Sequence, residues 1–175
     1  VLQLQNKPVG RIDEIERVFG GQSYGCTHEM GRTAEECARI YNELQNYMLT
    51  KTRLGIPILT AVEGIQGILQ NNSTLFPHAI AQGSTFNPGL IERMTEAAGA
   101  EAATMGIHQV LSPVFDIARE LRWGRVEETY GEDPYLIADW LCEGIPEAPD
   151  YMYPETFCST RYTDGRTELC LCQWW

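Results

Sequence analysis

The chain has 175 residues, 43% of them apolar and 21% charged, with a formal net charge of −11. This balance suits a soluble globular domain long enough to bury a core. Phosphate binding needs clustered Lys and Arg, so 13 basic residues against 24 acidic ones argue against a nucleic-acid partner. No stretch approaches the roughly 20 unbroken apolar residues of a membrane span.

The first residues, Val1-Leu2-Gln3, carry neither a methionine nor a basic-then-apolar leader, so no signal peptide is legible and the compartment stays unknown. Thr33-Ala-Glu-Glu36 has the spacing of a capping box, with Thr33 as N-cap and Glu36 reaching back. Behind it Cys37, Ile40, Tyr41, Leu44, Tyr47 and Met48 recur at three- and four-residue steps, which predicts an amphipathic helix to about Leu49. Arg53-Leu-Gly-Ile-Pro turns the chain into Ile56–Val62, a short apolar run suited to a buried strand.

Gly64–Thr74 reads as a polar loop, in which Asn71 and Asn72 each open a glycosylation sequon. Ala79–Thr85 is expected to be a second short strand. Asn87-Pro88 then starts a helix whose buried side is Leu90, Ile91, Met94, Ala97, Ala98 and Ala102, and Gly106 ends it. Ile107–Phe115 is the next strand, followed by the charged stretch FDIARELRWGRVEETYGEDPYL. Asp133-Pro134 caps a further helix through Trp140.

This alternation is the rhythm of βα units around a parallel sheet. Folds of that kind bind ligands in the loops that follow strand carboxyl ends. Both polar loops, after Val62 and after Phe115, occupy such places.

Beyond Leu141 the periodicity ceases. The six cysteines are uneven, with Cys26 and Cys37 early and Cys142, Cys158, Cys170 and Cys172 late. Cys158 and Cys170-x-Cys172 lack the two-residue spacer and nearby His of a zinc site, so no metal is expected; disulfides and free thiols both remain open. Residues 1–141 are thus read as one unit and 142–175 as an irregular tail.

Several segments stand together in order: Arg53-Leu-Gly-Ile-Pro-Ile-Leu, Glu63-Gly-Ile-Gln-Gly67, Leu75-Phe-Pro-His-Ala, Gly83-Ser-Thr-Phe-Asn-Pro, Leu111-Ser-Pro-Val-Phe-Asp and Arg122-Trp-Gly-Arg125. With the run from Glu128 to Gly131-Glu-Asp-Pro-Tyr135, they resemble the N-terminal domain of the family 3 glycoside hydrolases, which act on β-linked sugars. The resemblance implies an α/β fold, the early βα units of a (β/α)₈ TIM barrel. Such a barrel takes about 250 residues, so the remainder and a second domain are expected in the complete protein.

The resemblance also implies site residues. Glu63 would accept from adjacent hydroxyls of the terminal β-linked sugar, a pairing its two oxygens suit. Arg125 would donate to vicinal hydroxyls, unless it is spent on Glu127, Glu128 or Glu132. Arg122, Trp123, Glu128 and Asp133 are structural support: Arg122 paired to acids, Trp123 packed, Asp133 capping a helix. His78 is expected to be packed or hydrogen-bonded, and His28 and His108 show no partner pattern.

Glucosidases of the family often carry Asp where Glu63 stands. The extra methylene would intrude on the hydroxymethyl group of glucose, so the lean is toward xylosides. Gln66 replaces a histidine common in the family.

A retaining glycosidase needs a carboxyl pair about 5–5.5 Å apart. The family draws its nucleophilic Asp, its acid/base and a sugar-binding Lys-His pair from later segments, and none follows Leu141. The cysteine and tryptophan excess there resembles an out-of-frame translation. No residue of this chain is therefore assigned as catalytic, no cofactor is implied, and a secreted or periplasmic setting is compatible with the resemblance. The expected function is a fragment of a retaining exo-acting β-glycosidase, inactive alone. The alternatives are a non-catalytic carbohydrate-binding or scaffold protein, and a metal-dependent aldolase-type barrel whose ligand clusters are not found.

Overall fold

Three short strands lie side by side in chain order, all parallel: β1 (Cys26–His28), β2 (Leu59–Glu63) and β3 (Gln109–Leu111). The structure, a computed structural model, describes Val9, residues 11–28 and 30–143, and the pairs 162–163 and 166–167. Helix α1 (Ile15–Phe19) precedes β1. Helix α2 (Ala34–Lys51) links β1 to β2, and α3 (Ala79–Gly83) and α4 (Pro88–Thr104) lie between β2 and β3. Helix α5 (Pro134–Glu143) follows the charged stretch.

Helix α2 forms where the capping pattern predicts. Glu36 N donates to Thr33 Oγ1 at 3.3 Å and Thr33 N donates back to Glu36 Oε2 at 2.9 Å. Its buried residues are Cys37, Ile40, Tyr41, Leu44, Tyr47 and Met48, the six that the periodicity selects. Leu44 and Met48 are wholly buried, and each such side chain contributes about 1.5–3 kcal/mol relative to exposure. They pack with Ile58, Val62, Ala102, Met105 and Ile107 to form one core between the helices and the sheet.

At its far end α4 closes in a Schellman arrangement. Gly106 at φ +75° donates to Ala103 O and Ile107 N donates to Ala102 O. Of its predicted apolar face, Ile91 and Ala102 are buried; Leu90, Met94 and Ala98 are half-buried, and Ala97 faces solvent.

Two of the three predicted strands form, each trimmed by competing hydrogen bonds. Gln45 Nε2 donates to Ile58 O at 2.6 Å and Ile58 N donates to Gln45 Oε1 at 3.0 Å, so the peptide groups of Ile58 are held by a helix side chain. The β2 ladder starts one residue later. Ile107 is likewise still tied to α4, and Pro113, which has no N–H, lies just past the end of β3. Beyond it Val114 makes a lone parallel bridge to Thr129.

One expectation changes, and two elements are additional. Ala79–Thr85 is not a strand: Ala79–Gly83 is helical, with Gln82 Nε2 donating to Pro77 O and Ser84 Oγ to Ile80 O. A short apolar run has no period that separates strand from helix; these residues form local bonds instead of a ladder. Strand β1 and helix α1 had no signal in the pattern. Phe19 nonetheless buries beside Tyr24, edge to face at 5.3 Å, and Tyr47 Oη accepts from Gly21 N at 2.7 Å.

In the tail, β4 (Tyr162–Thr163) and β5 (Arg166–Thr167) pair antiparallel. The remainder of the expected irregular tail, and the side chains of the four late cysteines, lie outside the described residues. Cys26 is a half-buried free thiol, and Cys37 is buried. No helix among the described residues is long and apolar enough to cross a membrane.

The register sorts the strand residues by face. Thr27, Thr60 and Val62 are fully buried on the side that α2 and α4 cover. Cys26, His28, Leu59, Ala61, Glu63, Gln109 and Leu111 share the other side. Only Ala61 among them is fully buried, and Leu111 is 40% exposed.

Candidate functional site

His28 ends β1 and Glu63 ends β2, so both stand at the carboxyl edge of the sheet. His28 pairs with Ala61, two residues before Glu63, which puts the histidine and the carboxylate on one face as diagonal neighbours. His28 Nε2 stands 3.9 Å from Glu63 Oε1.

The loop after β2 is fastened on itself and on its surroundings. Leu69 N donates to Glu63 O, Phe76 N to Gln66 O, and Asn71 N to Arg32 O. Thr74 N and Oγ1 both donate to Glu101, at 3.0 and 2.6 Å for the shorter contacts. Gln66 contributes its backbone carbonyl here. His78 is exposed with no side-chain cap bond, contrary to the packed or hydrogen-bonded histidine expected; its carbonyl, accepting from Ala81 and Gln82, starts α3.

The charged stretch follows β3 and folds back on its own start. The Val114–Thr129 bridge and the bond from Ala118 N to Gly131 O close its two ends. Thr129 is fully buried and donates through Oγ1 to Val126 O at 2.8 Å. Helix α3 presses on it from the side: a Cβ on Gly83 would collide with Tyr130 O. Burial pushes the Tyr130 phenol up to about 12.

Arg125 sits where this stretch turns into a 3₁₀ segment, Val126–Glu128. Its guanidinium hydrogen-bonds Glu128, whose side chain is only 14% exposed against 48% for Arg125. That bond raises the Arg125 pKa; burial opposes it, and the charges of Glu128, Glu63 and Asp116 add to the rise. Arg125 therefore lies within electrostatic reach of Glu63 although the two do not touch.

The supporting residues divide. Glu128 anchors Arg125. Asp133 accepts from Tyr135 N at 2.8 Å and its carbonyl accepts from Ile137 N, the helix cap expected. Trp123 is half-buried, its backbone N–H bonded to Glu120 O. Arg122 pairs with Glu120, two residues back, and is 89% exposed, so it steadies its own turn and does not reach the site. Hydrogen bonds from Arg122 hold the Glu120 carboxyl at about 2.

Sequence reasoning passed over His28, Asp116 and His108. The register that makes His28 a neighbour of Glu63 is non-local, and so is the bond of His108 to Thr60. Thr60 Oγ1 donates to Gly106 O and stands 2.6 Å from His108 Nδ1. A cleft of about 240 Å³ near it, lined by Tyr41, Asn42, Gln45, Thr104, Gly106 and His108, shares no residue with the strand-end cluster. Among the described residues no group of three or more His, Cys, Asp or Glu could hold a metal.

Parallel strands joined by helices, with acids, an arginine and a histidine gathered at the strand carboxyl ends, define an α/β protein of the kind that binds ligands at that edge. The sequence profile of the glycosyl hydrolase family 3 N-terminal domain matches residues 19–145, and the chain belongs to that family. It is 36% identical over 108 residues to a putative β-xylosidase of Formosa agariphila, covering 62% of this chain and 14% of that protein. It is 41% identical over 92 residues to a β-xylosidase of the same organism, covering 49% of this chain and 13% of that protein. A solved β-glucosidase from Erythrobacter marinus superposes with a TM-score of 0.73 at 29% identity, over 86% of this chain and 22% of that one. The chain thus spans a small part of the length of the relatives it matches.

Proposed function

We propose that the described residues are the early βα units of a (β/α)₈ barrel in a retaining, exo-acting β-glycosidase, and that Glu63 and Arg125 grip the terminal β-linked sugar. What supports this reading is placement along the chain: Glu63 ends β2 and Arg125 lies on the loop that follows β3, with the charge of Glu63 a minor contributor to the raised Arg125 pKa. The carboxylate accepts from two hydroxyls and the guanidinium donates to the neighbouring oxygens. The sheet face with Ala61 and Leu111 is the inner wall that later strands would complete.

The barrel portion here holds half of a sugar-binding wall. Catalysis needs an acid and a nucleophile placed on either side of the glycosidic bond, and this chain supplies neither. Alone it binds sugar weakly and turns nothing over. The substrate class is a β-xyloside before a β-glucoside: Glu63 extends one methylene further than Asp into the space a hydroxymethyl group would fill. The relatives named β-xylosidases support that order.

The test is a chimera in which residues 19–141 replace the matching segment of the F. agariphila β-xylosidase. It should hydrolyse an aryl β-xyloside faster than the β-glucoside, and Glu63→Asp should narrow the ratio. Equal rates on both, unmoved by that change, would remove the xyloside preference; loss of no activity on Glu63→Ala or Arg125→Ala would remove the sugar wall itself. The purified 175-residue chain should hydrolyse neither compound.

A further inference from the structure

His28 is the polar group beside the site that the proposed roles leave without work. Its Nε2 is buried and has no hydrogen-bond partner, although buried polar atoms in folded proteins are almost always paired. The carboxylate facing it, Glu63, also receives no hydrogen bond from any described residue. The two atoms are 3.9 Å apart, about 1 Å longer than an N–H···O bond, a gap that a small rotation of the Glu63 side chain closes.

We propose that His28 is a positioning residue for Glu63, donating from Nε2–H to Oε1 and leaving the other carboxylate oxygen to the sugar. This rests on the proposed function above and assigns the sugar wall a third member. A free glutamate samples several rotamers, and each one away from the sugar lowers its affinity. Contact on one side with His28, and the field of Arg125 on the other, restrict that sampling. The arrangement is built into the backbone: the register of β1 on β2 places His28 opposite Ala61, on the same face as Glu63. His28 does not touch substrate; it acts through the carboxylate.

Nitrogen-15 spectra of the histidine rings in the labelled 175-residue chain test the pairing directly. His28 should carry its proton on Nε2. Glu63→Ala should move that resonance while those of His78 and His108, which do not face Glu63, stay in place. An Nε2 resonance unmoved by Glu63→Ala overturns the proposal.

Titration with methyl β-xyloside supplies the second readout. His28→Leu should weaken binding about tenfold, the scale of one lost hydrogen bond, and His28→Gln, which keeps a donor, should recover most of it. Equal losses in both variants would mean that His28 only packs, and would also overturn the proposal. If the parent chain binds no sugar yet Glu63→Ala shifts the His28 resonance, the pairing stands and the sugar-wall reading is what fails.

Discussion

Two donors of Arg125 converge on a single oxygen: Nε at 2.8 Å and Nη2 at 2.5 Å both reach Glu128 Oε2. The pairing is three residues apart along the chain, and Glu128 is the more buried partner. It orients the guanidinium without exhausting it, because Nη1 makes no hydrogen bond among the described residues. The sequence reading posed salt bridge and sugar ligand as rivals for Arg125. In the fold the salt bridge is formed, and it leaves Nη1 available, so it does not preclude the proposed sugar contact.

Removing that anchor should therefore cost affinity more than stability. Glu128→Ala is expected to weaken sugar binding about tenfold by calorimetric titration, because the freed arginine must be ordered by the ligand. Denaturant unfolding should shift by less than about 1 kcal/mol, since Arg125 is half exposed and water screens the pair. Arg125→Lys should bind as poorly as Arg125→Ala, because an ammonium cannot reach both Glu128 and a pair of hydroxyls. A lysine variant with parental affinity would remove the fork from the account.

Two glycines in helices should respond with opposite signs. Gly83→Ala drives a methyl into the backbone of Tyr130, which has no flexible end to give way, and should destabilise by about 1–3 kcal/mol. Gly99, in the middle of α4, has nothing within 4 Å of an added Cβ. Gly99→Ala should stabilise by up to about 1 kcal/mol through helix propensity. Chemical unfolding of the two variants side by side decides it; matching signs would mean that α3 does not bear on the charged loop as described.

The clamp between Gln45 and Ile58 predicts a cost at a distance from the site. Gln45→Leu leaves the Ile58 N–H and C=O unpaired beneath α2 and should lose about 1–3 kcal/mol in unfolding. Hydrogen exchange at Ile58 should rise in the same variant. Unchanged protection there would show that water replaces the clamp at no cost.

Stability should also depend on pH through His108. One side of its ring is drawn against Thr60 while the rest meets solvent, and burial lowers its pKa from 6.5. The unfolded chain then holds the proton more readily than the folded one. The contribution is complete above about pH 6.5, declines as pH falls through the lowered folded-state pKa, and levels off below it. His108→Asn should flatten that part of the stability profile, and the His108 titration followed by NMR should have its midpoint below 6.5. A midpoint above 6.5 would reverse the sign.

What the residues alone determined was what lies within a few positions of itself. The Thr33–Glu36 box, the six-residue buried stripe of α2, the Asn87-Pro88 start, the Gly106 stop and the Asp133 cap each depend on bonds spanning three to five residues. All are legible because helix geometry is local. The ordered segments from Arg53 to Tyr135 marked the family for the same reason, as contiguous strings.

Only the tertiary structure decided the rest. The late start of β2 under Gln45, the existence of β1 and the meeting of His28 with Glu63 join residues more than ten positions apart, while Ala79–Gly83, helical through local bonds, had no period to separate it from a strand. No period in the string encodes such a register. It follows from which apolar face the helices bury, and that choice is made once, by the whole core together.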